Sequence, residues 1–129
     1  MEDYMEGDIL TSATSTAVEH LLDAFNQHDV NAIMAAMTAD PVYEDTMPKL
    51  DGTRYAWREA VRSYWEAFFR RSPEAALEIE ELFAVGDSCA VRYVYRWHEA
   101  DGSPWHVRGA SLFHVRSGHV AKMRAYVKG

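Results

Sequence analysis

The chain has 129 residues, 48% of them hydrophobic, and a net charge of −7. That suffices for one domain with a real core. No apolar run approaches the ~20 residues of a membrane helix, and the acidity argues against nucleic acid as a partner. The acidic opening MEDYMEGDIL lacks a basic-then-apolar leader pattern, so a soluble cytoplasmic protein is expected. The lone cysteine, Cys89, excludes an internal disulfide and a cysteine-based zinc site; it reads as a packed thiol opening a strand.

In chain order, residues 1–11 read as a loose acidic tail and 12–129 as a single domain. Thr16-Ala17-Val18-Glu19 fits a capping box. Behind it Val18, Leu21, Leu22 and Phe25 make one helical face ending near Gln27-His28. Asp29 can cap a short second helix with Ile33, Ala36 and Met37 inward, stopped at Asp40-Pro41. Pro41 to Met47 reads as a strand, and 48–53 as a loop. A third helix is predicted from Tyr55 to Arg70, with Trp57, Val61, Tyr64, Trp65 and Phe68 as its apolar stripe. Leu77 to Val85 alternates like a strand.

The most informative stretch is Cys89 to Val127, which alternates almost throughout. Three-residue turns at Ala100-Asp101-Gly102 and Arg116-Ser117-Gly118 cut it into three strands. The first sets Trp97 opposite Trp105, Tyr95 opposite Val107 and Tyr93 opposite Gly109. The second sets Ser111 opposite Met123 and Gly109 opposite Ala125. One face is aromatic and apolar, the other carries Arg, His and Lys. A three-residue turn at Gly86-Asp87-Ser88 sets Glu78 opposite Arg96, Glu80 near Arg92 and Arg96, and Glu81 inward, opposite Tyr93. Residues 1–88 hold 6 Lys/Arg against 18 Asp/Glu, and 89–129 hold 7 against 2, so the two parts attract. Three helices on one face of a curved, mostly antiparallel sheet make an α+β architecture. The exposed face carries Val94, Ala110, Leu112 and Tyr126 among its charges, which suits a homodimer through the sheet.

This order resembles the nuclear transport factor 2-like superfamily, and within it ketosteroid isomerase and the SnoaL-like polyketide cyclases. The resemblance rests on Phe25-Asn26-Gln27-His28-Asp29, Val42-Tyr43-Glu44-Asp45, Gly52 with Ala60-Val61-Arg62-Ser63-Tyr64-Trp65, and Val85-Gly86-Asp87. Arg108-Gly109, Phe113 and Gly118-His119-Val120 with Met123-Arg124-Ala125-Tyr126 complete it. It implies a cone-shaped α+β barrel. It also places Asp45 where ketosteroid isomerase keeps its general base. The positions of that family's two oxyanion donors fall near Leu21 and Ser111, so both strong donors are replaced.

The candidate catalytic residues are Asp45 as base, with Tyr64 and Ser111 as weaker oxyanion donors. Tyr43, Trp57, Trp65, Glu81, Tyr93, Tyr95, Trp97, Phe113 and Met123 are the candidates for a substrate pocket. Asp45 shares strand parity with Tyr43, so both face the aromatic side while Glu44 faces out. A carboxylate in such a site becomes a usable base; the alternative is a strand-end cap. His98, His106 and His114 lie on an open face without metal-site spacing, and there is no Gly-rich phosphate loop, so no metal or cofactor is expected. Two functions stay open. One is a cofactor-independent isomerase, cyclase or dehydratase acting on a small apolar carbonyl compound. The other is a non-catalytic ligand-binding or dimeric interaction module.

Overall fold

The computed structural model describes residues 2–128, with side chains from residue 7 onward. Three helices, α1 (Glu2–Asn26), α2 (Val30–Ala35) and α3 (Arg58–Arg71), cover one face of a six-stranded sheet. The strands are β1 (Met37–Glu44), β2 (Arg54–Ala56), β3 (Ala76–Val85), β4 (Ser88–His98), β5 (Pro104–Arg116) and β6 (His119–Val127). Their order is β2-β1-β6-β5-β4-β3, antiparallel except for β1 against β6. This is the α+β arrangement read from the sequence. No helix among the described residues is long and apolar enough to cross a membrane.

The core forms where the apolar stripes meet the dry sheet face. Val18, Leu21, Leu22 and Phe25 of α1 pack with Ile33 and Met34 of α2 and Val61, Tyr64 and Trp65 of α3. Val91, Tyr93, Phe113, Val115, Val120 and Met123 meet them from the sheet. Cys89 is buried there, and burial pushes its thiol up to about 11, so it stays a protonated packing group.

The residues between α1 and α2 turn out to be fasteners. The Asn26 side chain donates to the Leu77 carbonyl at 2.9 Å and accepts from the Leu77 N–H at 2.8 Å. His28 meets the Ala75 carbonyl at 2.6 Å and stacks on Phe69. Asp29 caps α2 by accepting from Ala32 N–H at 3.0 Å. From α3, Arg58 donates to the Met34 and Thr38 carbonyls at 2.8 and 3.0 Å, closing the far end of α2.

Several boundaries differ from the sequence reading. The segment expected as a tail is helical from Glu2, and the capping-box residues lie inside α1. Its early turns are held by the β3–β4 corner, where Thr11 Oγ1 accepts from Gly86 N–H and Thr14 Oγ1 donates to the Gly86 carbonyl. β1 begins at Met37 and passes through Pro41; its pairing with β6 shifts between Met37 and Val42 because proline has no N–H for the ladder. β2 was not expected, and it delays α3 to Arg58. Trp57 is therefore not part of the apolar stripe. It precedes α3 with φ 74° and is 73% exposed.

The β4–β5 register is as expected, with Trp97 opposite Trp105 and Tyr93 opposite Gly109. The other two hairpins turn on two residues, Gly86-Asp87 and Ser117-Gly118, one fewer than expected. Ser117 and Gly118 take φ values of 51° and 78°, the twist a two-residue hairpin needs. In β5–β6 an irregularity beyond His114 adds a second single step, so Ser111 lies opposite Ala125 and Gly109 opposite Val127. Two single steps preserve parity, so the dry face stays dry. In β3–β4 the two-residue turn sets Glu81 opposite Arg92 instead of Tyr93 and so reverses its expected orientation, while the irregularity between Ile79 and Glu81 brings Ile79 and Leu77 back opposite Tyr93 and Tyr95. Glu81 stands on the outer face, 3.3 Å from Arg92. Glu78 lies opposite Val94 instead of Arg96, yet the two charges still meet at 3.1 Å, and Glu80 sits between Arg92 and Arg108.

The Asn26 clamp yields a direct test. Asn26→Ala removes both bonds between α1 and β3 and should cost about 1–2 kcal/mol in a urea titration, with the m-value unchanged. An unshifted midpoint would show that the clamp adds nothing to packing alone.

Candidate functional site

Between α1, α3 and the dry sheet face lies a cavity of about 100 Å³. Phe25 comes from α1, Tyr64, Trp65 and Phe68 from α3, and Tyr43 from β1. Leu77, Tyr93, Tyr95, Met123, Ala125 and Val127 complete the sheet wall, and Asp45 with Thr46 stands just past β1. The rings brace one another: Tyr43 lies 4.8 Å from Tyr64 and 4.9 Å from Trp65, and Tyr64 4.8 Å from Tyr55. Among the described residues, Asp45 is the sole charged side chain in this lining.

Strand parity puts Asp45 there. Tyr43 points in, Glu44 points out to Arg124 at 3.3 Å, and Asp45 points in again. Its N–H donates to the Thr53 carbonyl at 2.9 Å, which anchors the backbone as the strand ends. Gly52 presses on the same point. A Cβ on Gly52 would lie 1.8 Å from the Asp45 carbonyl oxygen, and its φ is +77°. The carboxylate is held on one side only. Oδ1 accepts from Thr46 N–H at 2.7 Å and from the Tyr43 hydroxyl at 3.4 Å. No hydrogen bond among the described residues reaches Oδ2. The Tyr64 hydroxyl lies 3.4 Å from that of Tyr43, so a chain of phenols ends on the carboxylate.

The cavity does not end at Asp45. A second hollow of about 570 Å³, formed by the loop residues Met47, Lys49, Leu50 and Asp51, shares Asp45, Thr46, Ala125 and Val127 with it. Asp45 thus stands where a small aromatic chamber opens into a wider groove.

Of the residues singled out by sequence, Asp45, Tyr43, Tyr64, Trp65, Tyr93, Tyr95 and Met123 are brought together in the chamber. Ser111 is buried behind the wall and donates to the Tyr93 hydroxyl at 3.4 Å. Phe113 is a core residue outside the lining, and Trp97 stacks on Tyr95 outside it. Trp57 and Glu81 stand away from the chamber. Phe25, Phe68 and Leu77 read from the sequence as core or strand residues and not as part of a site. Thr46, Ala125 and Val127 carried no site signal beyond their neighbours. Among the described residues, no cluster of three His, Cys, Asp or Glu side chains could hold a metal ion.

Burial pushes the phenols of Tyr43, Tyr64, Tyr93 and Tyr95 upward, and the Asp45 charge adds to the push on each. All four are therefore O–H donors at neutral pH. A phenol raised in the folded state contributes stability that is complete below its unfolded value, near 10, and is lost as pH rises through the folded value. Spectrophotometric titration should show these four tyrosines ionising late, together with alkaline unfolding. Ionisation of all tyrosines near pH 10 in still-folded protein would contradict the burial of the site.

Comparison with known proteins agrees with this architecture. Residues 18–123 match the SnoaL-like domain. An NTF2-like protein of unknown function from Mesorhizobium loti is 33% identical, over 92% of this chain and 93% of that one, with a TM-score of 0.76. A protein from Catenulispora acidiphila with a ketosteroid isomerase-like fold, solved with trimethylamine, is 21% identical over 85% and 83%, with a TM-score of 0.76. A candidate polyketide cyclase from Sinorhizobium meliloti is 23% identical over 86% and 94%, with a TM-score of 0.71. No curated protein matches the chain. The match runs from Val18 in α1 to Met123 in β6, and the chain belongs to the SnoaL-like domain family.

Proposed function

We propose that this protein is a cofactor-independent enzyme that moves a proton next to a carbonyl in a small apolar molecule, with Asp45 as general base. The reaction class is isomerisation, cyclisation or dehydration. The observation that carries this reading is the asymmetry of the carboxylate: Oδ1 is tied to Thr46 and Tyr43, and Oδ2 has no hydrogen-bond donor among the described residues. A base needs a fixed carboxylate with one free lone pair aimed at substrate. The aromatic walls exclude water and supply flat apolar contact. A chamber of about 100 Å³ suits a single ring or a short carbon chain, while the adjoining groove can take the remainder of a longer molecule. The phenols of Tyr43 and Tyr64 hold the carboxylate in place and keep its surroundings protic.

Small cyclic ketones and enones in D₂O provide the test, because proton abstraction appears as exchange of the hydrogens next to the carbonyl. The wild-type protein should accelerate this exchange. Asp45→Asn should fold normally and lose about 10²–10⁴-fold of the acceleration. The second reading, a binding module in which Thr46 N–H merely caps the strand end through Asp45, is favoured by the 2.7 Å bond. It expects no exchange by either protein, and destabilisation of the Asn variant by about 0.5–2 kcal/mol.

We further propose that the outer sheet face docks a second copy of the chain. Phe83, Val85, Leu112 and Tyr126 are 62%, 80%, 45% and 54% exposed there, beside the ion pairs of β3, β4 and β5. Placing Glu at Leu112 should convert a dimer to monomer in sedimentation at micromolar concentration. A wild-type monomer under those conditions would remove the dimer from the account.

A further inference from the structure

The hydroxyls around the chamber are not equivalent. Tyr43 donates to Asp45, and its oxygen is 3.4 Å from that of Tyr64. If Tyr43 gives its proton to the carboxylate, Tyr64 gives its own to Tyr43. Both O–H groups are then committed to Asp45. Tyr93 differs. Its oxygen accepts from Ser111 Oγ at 3.4 Å, and no acceptor for its own proton occurs among the described residues. It lines the chamber as a donor still to be used.

The surroundings of Tyr93 are shaped for that one side chain. Gly109 is its cross-strand partner on β5. A Cβ on Gly109 would lie 3.1 Å from Cε1 and Cζ of the Tyr93 ring and 2.6 Å from the Tyr126 carbonyl oxygen. Any side chain there would move the ring, so the bare backbone of Gly109 sets its position. Ser111 is 1% exposed and outside the lining, so its hydroxyl cannot serve a ligand directly. A hydroxyl buried that deeply needs a partner, and Tyr93 is the one it has.

We propose that Tyr93 is the hydrogen-bond donor that receives the oxygen of the ligand's carbonyl, and that Ser111 is the positioning residue behind it. The assignment rests on the reading of the ligand as a carbonyl compound, but not on Asp45 being the base. In the proposed reaction Asp45 Oδ2 takes the proton from the carbon next to the carbonyl. The C–H pair becomes the new C=C π bond and the C=O π pair moves onto oxygen. The Tyr93 O–H receives that oxygen and keeps its proton. In a ligand with a C=C β,γ to the carbonyl, the pair on oxygen then re-forms the C=O and the new C=C shifts by one position to α,β. The β,γ pair takes the proton from Asp45 at the γ carbon, so atoms and electrons balance. A neutral or phenolic oxygen on a flat ring fits this pair of groups.

The test uses 4-nitrophenol, whose absorption reports both ionisation and hydrogen bonding, as a stand-in for the enolate. It is titrated into the full-length Asp45→Asn protein, in which the carboxylate no longer repels a phenolate. Adding Tyr93→Phe should weaken binding about tenfold and remove the spectral shift of the bound probe. Adding Ser111→Ala should weaken it about threefold and move the spectrum part of the way, since the donor remains but is no longer held. Unchanged affinity and spectrum in folded Tyr93→Phe protein would overturn the assignment, as would the absence of saturable probe binding to Asp45→Asn. Should Tyr93→Phe fail to fold, Ser111→Ala decides, and an unmoved spectrum there is equally fatal. Absence of ketone exchange alongside Tyr93-dependent probe binding would remove the base and leave this donor in place.

Discussion

The alternation of β4 sets the terms for the rest of the molecule. Val91 and Tyr93 are buried on one side, while Arg92 and Arg96 have side chains 58% and 55% exposed on the other. A strand of this kind has a single stable orientation, because a slip by one residue would carry the guanidinium groups into the core. The helices follow from it. They carry the apolar stripes that cover the rings of β4, and Thr14, Asn26, His28 and Arg58 tie them to main-chain carbonyls of the β3–β4 turn, of β3, of Ala75 just before it and of β1. The outer face is left to ion pairs and a few exposed apolar side chains; Val94, expected in the open there, is only 2% exposed.

The site is a by-product of the same geometry carried one residue too far. β1 stops at Glu44, yet its inward parity continues to Asp45, so a carboxylate enters a wall otherwise made of rings. Such a group is tolerable only with donors and an opening to water nearby. Thr46 N–H and the Tyr43 hydroxyl are the donors, and the groove beside the 47–51 loop is the opening.

The legibility of this arrangement in the sequence follows period and parity. β4 and β5 are readable because their alternation is long and Gly102, with φ 84°, marks the turn between them. The stripe on α3 is readable from Val61 to Phe68 and fails at Trp57, since a positive φ in a tryptophan leaves no periodic trace. β2 is too short to show alternation. Glu81 fails for a different reason. Its orientation is set by the hairpin, and Gly86-Asp87-Ser88 does not show in the sequence whether the turn takes two residues or three, a difference of one that flips every side chain from Val85 to Glu81. In the site, Asp45 and Tyr43 follow from parity alone. The part played by Ser111 does not, because its contact with Tyr93 depends on ring placement over Gly109 across two strands.

The contact between Gly52 and the Asp45 carbonyl separates two properties that most sites couple. Asp45 is set by main chain against main chain: the Gly52 approach, the Thr53 carbonyl at 2.9 Å, and Gly52 N–H on the Pro48 carbonyl at 2.8 Å. The side chains of the intervening loop take no part in that seat, and Met47 and Leu50 are 58% and 97% exposed. Substitutions at those two positions can therefore reshape the groove they line while the carboxylate stays where it is. In this chain the loop tip is free to vary, and Gly52 is the residue that keeps such variation from moving Asp45.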